Sequence, residues 1–143
     1  MMSLPERVPV STIMSTQLVL LNTSDSLEKA EHLFKKHRIR HIPVIEKSRK
    51  IVGMLSLTDL LRISFADGAY EDEEDIESVV YEMFTIPQVM AKKVKSVSPD
   101  STVKEVAELL ANQEFHALPV VQDGELMGIV TTTDLIKYLL SQY

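Results

Sequence analysis

Hydrophobic and polar positions along this chain change period several times, and the whole order of changes occurs twice. Apolar Leu18–Leu21 runs into a polar turn, Asn22-Thr23-Ser24-Asp25-Ser26. Leu27, Ala30, Leu33 and Phe34 follow at helical spacing. His41–Ile45 and Ile51–Leu55, joined by Glu46–Lys50, predict two strands, and Leu57, Leu60, Leu61 and Phe65 return to a helical period. The second pass starts with Val94–Val97 and the turn Ser98-Pro99-Asp100-Ser101-Thr102. Val103, Val106, Ala107 and Leu110 predict a helix, and Ala117–Val121 and Leu126–Val130 predict strands around Gln122-Asp123-Gly124-Glu125. Leu135, Ile136, Leu139 and Leu140 close it with a second helix. Ser26 and Thr102 stand where a hydroxyl would cap a helix start, and Asp-Gly is a tight-turn signal.

Laid over one another, residues 13–64 and 89–139 keep this pattern throughout, although only Met14, Leu33, Pro43, Val44, Gly53, Thr58, Asp59 and Leu60 match identical partners. The second copy is one residue shorter at the turn between its strands. Each half therefore reads strand–helix–strand–strand–helix, a mixed α+β class, in roughly 50 residues, too few to bury a sufficient core alone. Two copies are expected to pack together with pseudo-twofold symmetry. The expected boundaries are residues 8–66 for repeat 1, 67–86 for a connector and 87–143 for repeat 2. Ile76, Val79, Val80, Met83 and Phe84 have helical spacing, so the connector is expected to end in a helix.

Charge adds one feature. The net charge of −6 over 143 residues comes from residues 67–77, which carry seven acids and no base; the remainder is nearly neutral. No basic stripe suits a nucleic-acid backbone. The acidic run lacks the ligand spacing of a calcium loop, and residues 67–75 are expected to be a mobile, solvated stretch. The absence of cysteine excludes disulfides, thiolate metal sites and a cysteine nucleophile. No apolar run approaches the length of a membrane span, and the first residues lack a signal-peptide pattern. A cytoplasmic location is expected, with neither nucleic acid nor membrane as partner.

The chemistry-bearing residues gather at the end of the last strand of each copy. Gly53 and Gly128 interrupt strands of otherwise apolar or β-branched character, which predicts a close backbone approach or a bulge, or else a plain kink. Ser56 and Thr131 leave the strand; Thr58 and Thr133 stand where the helix begins. Hydroxyls and free amides there suit an anion such as phosphate, although Thr58 and Thr133 could equally be helix caps. Asp59 and Asp134 follow directly. A carboxylate only accepts, so each can take both hydroxyls of a ribose. A phosphate site beside a vicinal-diol site describes a nucleotide. No nucleophile elbow, Walker loop or dinucleotide fingerprint is present. His32 and His37 are five apart, which does not make the zinc-binding helical pair. The equivalence of Asp59 and Asp134 favours two binding sites over one asymmetric acid–base pair. Neither a catalytic residue nor a metal site is expected.

The sequence of Met, hydroxyl-rich turn, helix, Pro-Val strand and Gly-x-x-[Ser/Thr]-x-Thr-Asp, present twice in register, resembles the CBS domain (cystathionine-β-synthase-type domain) in tandem, a Bateman module. The resemblance covers about 100 residues. It implies two clefts between the repeats that bind an adenosine-containing small molecule such as AMP, ADP, ATP or S-adenosylmethionine, with no cofactor required. It assigns Met54, Ser56, Thr58 and Asp59 to one cleft, completed by Met90, Phe115 and His116. The other takes Ile129, Thr131, Thr133 and Asp134, with Met14, Ile39 and Arg40 opposite. Met and aliphatic side chains would sandwich adenine, and Arg40, His41 or His116 would face phosphate. The basic position before the Pro-Val strand is His41 in repeat 1 but Ala117 in repeat 2, which speaks against a strong triphosphate grip in the second. The resemblance also implies a homodimer of pairs and an unknown regulated protein. A ligand-free dimerisation module is the alternative.

Overall fold

The computed structural model describes residues 7–66, 81–113 and 116–143. They form two compact units whose limits cut across the sequence repeats. Val19–Lys93 makes the central unit; Met1–Leu18 together with Val94–Tyr143 makes the terminal unit. The lead-in segment of each repeat thus belongs with the strands of the other.

In the central unit, β1 (Leu21–Asn22) pairs in parallel with β2 (His41–Glu46), and β2 pairs antiparallel with β3 (Lys50–Ser56). Helix α1 (Leu27–His37) joins β1 to β2. The Ser26 hydroxyl caps it, accepting from the Lys29 amide at 3.1 Å. Its apolar face buries Leu27, Ala30 and Phe34. The helix stops because Arg38 takes the left-handed conformation at φ 53°. Helix α2 (Leu57–Ala66) follows β3 directly and buries Leu60. Ile42, Val44, Leu55, Tyr81 and Ile86 complete one core with these residues. Ile86 begins the short helix α3 (Ile86–Val89).

The terminal unit repeats the plan. Helix α4 (Val103–Asn112) is capped by Thr102, whose hydroxyl accepts from the Glu105 amide at 3.1 Å. Strands β4 (Ala117–Gln122) and β5 (Glu125–Thr131) pair antiparallel, and α5 (Thr132–Ser141) follows β5 directly. Val97 forms a parallel bridge to Val120, the equivalent of Leu21 beside Val44. The extended pieces expected at 18–21 and 94–97 therefore narrow to the residues that close the ladder. The core is Val10, Val97, Val106, Leu110, Leu118, Val120 and Val130. Val10 comes from the start of the chain, tied in by its amide to the Ser101 carbonyl at 2.7 Å.

Strand, helix, strand, strand, helix thus recurs as expected, in a mixed α+β fold. The acidic run at 67–77, with its expected mobility, and the first part of the expected connecting helix lie outside the described residues. Tyr81–Met83 is helical, and Tyr81 is buried.

Candidate functional site

Each unit builds the same small platform where its last strand, β3 or β5, meets the helix that follows it. The strand interior sets it up. In β3 the pairing shifts after Val44↔Gly53, so that Ile45 faces Ile51 and Val52 is left over as a bulge. In β5 the pairing shifts after Val120↔Gly128, and Met127 is left over. Bulge and close approach, both anticipated at the glycines, occur together. A Cβ on Gly53 would collide with the Met90 sulfur and stand 2.8 Å from the Ala91 carbonyl oxygen. On Gly128 it would lie 2.7 Å from the Met14 sulfur and 2.9 Å from the Ser15 carbonyl oxygen. Only a residue without a side chain lets these segments lie so near.

The approaching segments are stitched down by paired backbone bonds. Met54 and Ala91 exchange amide–carbonyl bonds of 3.0 and 2.9 Å; Ser15 and Ile129 exchange bonds of 2.8 and 3.0 Å. Met90 is thereby laid against Gly53 beside Met54, and Met14 against Gly128 beside Ile129, three and two residues before Ser56 or Thr131 in each strand.

The helix starts resolve the question of the hydroxyls. Thr58 and Thr133 do not cap. The caps are Ser56 and Thr131, whose oxygens accept from the amides of Asp59 at 3.0 Å and Asp134 at 3.1 Å. Thr58 and Thr133 lie in the first helical turn and are exposed. Their hydroxyls remain available, while those of Ser56 and Thr131 have each given one of two acceptor positions to the cap. The first amide of each helix is satisfied too: Leu57 donates to the Arg40 carbonyl at 2.9 Å, and Thr132 to the His116 carbonyl at 3.0 Å. These bonds place Arg40 beside the Asp59 helix and His116 beside the Asp134 helix, each within its own unit. Both side chains are exposed, Ile39 and His41 are half-buried, and Phe115 lies outside the described residues.

The carboxylates differ between units. Asp134 closes a capping box, one oxygen accepting from the Thr131 amide at 2.9 Å. Asp59 instead stands 3.6 Å from the Arg62 guanidinium. Sequence inspection missed Arg62. Its signal is the i,i+3 spacing from Asp59 on a helix, which Lys137 shares relative to Asp134. Among the described residues no three His, Asp or Glu side chains gather as a metal site. No described helix is long and apolar enough to cross a membrane.

The CBS domain model matches residues 10–66 and 86–141, both platforms included. The chain belongs to the CBS domain family. Its tandem CBS pair is similar to the Methanocaldococcus jannaschii protein MJ1426, at 29% identity over 92% of this chain and 90% of that one. It spans less than half of some longer curated relatives. Among solved structures, CBSX2, known from Arabidopsis thaliana, has been crystallised with AMP; it is 24% identical with a TM-score of 0.79, over 94% of this chain and 98% of that one. The CBS pair of MJ0100, with 5′-methylthioadenosine and S-adenosylmethionine, is 24% identical with a TM-score of 0.78, over 97% and 100%. At that identity the two structures carry the fold.

Proposed function

We propose that this CBS pair is a regulatory module that binds an adenosine-containing ligand and signals its presence to a partner protein, without catalysing a reaction itself. The observation that carries the proposal is the repeated set of hydrogen-bonding groups at a helix start: Ser56, Thr58 and Asp59 in one unit, Thr131, Thr133 and Asp134 in the other. In both, a carboxylate suited to ribose lies one residue from an exposed hydroxyl suited to phosphate, at the positive end of a helix. Met90 over the buried Met54, and Ile129 with Met14, would offer apolar groups for adenine beside it. Completion of the sites by Phe115 and His116 for Asp59, and by Ile39 and Arg40 for Asp134, with Arg40, His41 or His116 facing phosphate, is part of the same proposal. The CBS structures crystallised with AMP and with S-adenosylmethionine support the adenosyl class.

A thermal-shift panel of AMP, ADP, ATP, S-adenosylmethionine and NAD tests the class. Stabilisation by one or more adenosyl ligands is expected; no shift from any of them would favour the ligand-free interaction module. Calorimetry with the best ligand then tests the residues. Asp59→Asn and Asp134→Asn remove a charged acceptor at nearly constant shape. Each should weaken one site by about tenfold to a hundredfold, from ~1.5–3 kcal/mol per charge-assisted hydrogen bond. AMP should bind more tightly than adenosine, and Arg40→Ala should reduce that gain at the Asp134 site.

The proposal includes a homodimer. Helix α5 buries none of its residues, and Ile136 and Leu140 are 52% and 67% exposed. A run of exposed Ile and Leu on one helix is a surface that association covers. Light scattering at micromolar concentration should give twice the chain mass; a monomer there would refute this part.

A further inference from the structure

The two ribose acceptors do not stand in the same state, and the difference lies in residues that belong to each unit alone. In the terminal unit the Asp134 carboxylate is oriented by the protein backbone: the Thr131 amide donates to one oxygen at 2.9 Å while the Thr131 hydroxyl accepts from the Asp134 amide at 3.1 Å. A carboxylate has about four lone-pair directions, so this bond fixes the group and leaves acceptor capacity for two hydroxyls. In the central unit that bond is absent. The Ser56 hydroxyl accepts from the Asp59 amide at 3.0 Å, but the carboxylate faces Arg62, with Nη1 at 3.6 Å from Oδ1. Lys137 holds the equivalent place after Asp134, yet forms no ion pair among those of the described residues.

We infer that Arg62 competes with the ligand ribose for Asp59, so that the Asp134 site fills first. The inference rests on the adenosyl proposal and on Asp59 and Asp134 as its ribose acceptors. A ribose hydroxyl is a neutral donor, and a guanidinium is a charged one; to seat the ribose on Asp59 the ligand must displace Arg62 or share the carboxylate with it. The Asp134 carboxylate is already held in place, so its site loses less freedom on binding. Arg62 is 73% exposed, and an exposed pair of this kind corresponds to at most about a fivefold effect on affinity. Arg62 is therefore a positioning residue that sets the order of filling rather than the identity of the ligand.

Adenosine is the decisive probe, because it is uncharged and removes any attraction between Arg62 and a phosphate. Calorimetric titrations are made on Asp59→Asn, which isolates the Asp134 site, and on Asp134→Asn, which isolates the Asp59 site, each with and without Arg62→Gln. The expected results are a Kd about three- to tenfold lower for the Asp134 site, and a tightening of the Asp59 site by about two- to fivefold on Arg62→Gln. The Asp134 site should not respond to Arg62→Gln. The tightening should shrink in high salt, which screens the Asp59–Arg62 pair; a packing effect would not. Thermal denaturation of each variant verifies that it folds. Equal affinities at the two sites, or an Asp59 site that Arg62→Gln leaves unchanged or weakens, would overturn the inference while leaving the adenosyl proposal standing. Binding that neither Asp→Asn substitution alters would overturn the ribose assignment, and this inference with it.

Discussion

The central and terminal units share a plan but spend their second helices differently. Helix α2 turns Leu60 inward to 1% exposure, while α5 buries nothing and holds Leu140 at 67%. Both follow a strand without a connecting loop and both have a hydroxyl cap. The central core draws on Tyr81 and Ile86 beside Leu60, residues supplied by the segment that follows α2. The terminal core gathers Val10, Val97, Val106 and Val130, and Leu135 of α5 packs against it only partly buried. Duplication therefore preserved backbone geometry more strictly than it preserved burial. A helix can keep its start, its cap and its first-turn carboxylate while the burial of its apolar face changes.

Substitutions of a buried leucine on one second helix and an exposed leucine on the other give the largest test of this contrast. Leu60→Ala should cost about 2–5 kcal/mol in urea unfolding, as for a leucine removed from a closed core. Leu140→Ala should change the stability of the folded chain by less than about 0.5 kcal/mol. It should weaken self-association in sedimentation equilibrium if α5 is the dimer surface. Similar stability losses for the two would break the contrast.

The glycines test where the units should agree. Gly53→Ala and Gly128→Ala should each destabilise by about 1–3 kcal/mol, because the added methyl meets a backbone carbonyl that cannot rotate away. Shortening the sulfur-bearing neighbour should not rescue either one: Met90→Ala leaves the Ala91 oxygen in place, and Met14→Ala leaves that of Ser15. Full rescue would show that the methionine side chain, not the backbone approach, imposes the glycine.

The smallest effect separates the carboxylates by stability alone. Asp134→Ala removes half of a capping box and should cost about 1 kcal/mol. Asp59→Ala removes an exposed ion pair and a favourable charge at a helix start, and should cost about 0.5 kcal/mol. Thermal unfolding without ligand measures both. A reversed order would show that the box in the terminal unit contributes little, and would weaken the case for a preorganised Asp134.

Much of this was legible along the chain. The helices over Leu27–His37 and Val103–Asn112 follow from apolar spacing behind Ser26 and Thr102, both of which cap. The strand pairs follow from apolar runs around short polar turns. The glycine platforms were legible as glycines out of place in strands, and the Thr-Asp pairs as polar residues repeated where each strand ends. Thr58 and Thr133 were left open between cap and anion ligand, and the caps fall two residues earlier, on Ser56 and Thr131. A hydroxyl residue at either position satisfies a propensity argument, and only the backbone shows which oxygen reaches an amide. Arg62 escaped notice because an i,i+3 pair is silent until rotamers are set, and Lys137 at the same spacing makes no such pair.

The sequence by itself determined the local order of elements, the twofold repetition and the residue types at the helix starts, because period, turn chemistry and hydrogen-bonding capacity are properties of neighbouring residues. The tertiary structure decided which parts of the chain belong together. Met14 rests on Gly128 and Met90 on Gly53, each across more than a third of the chain or across its middle, because a lead-in segment completes whichever ladder offers it free backbone groups and a glycine to lie against. It also decided that two carboxylates of identical local sequence, Thr-Asp-Leu in each copy, are held by different partners. One is bonded to a backbone amide and the other faces a guanidinium; both donors lie three residues away, and the side-chain rotamer decides which is met.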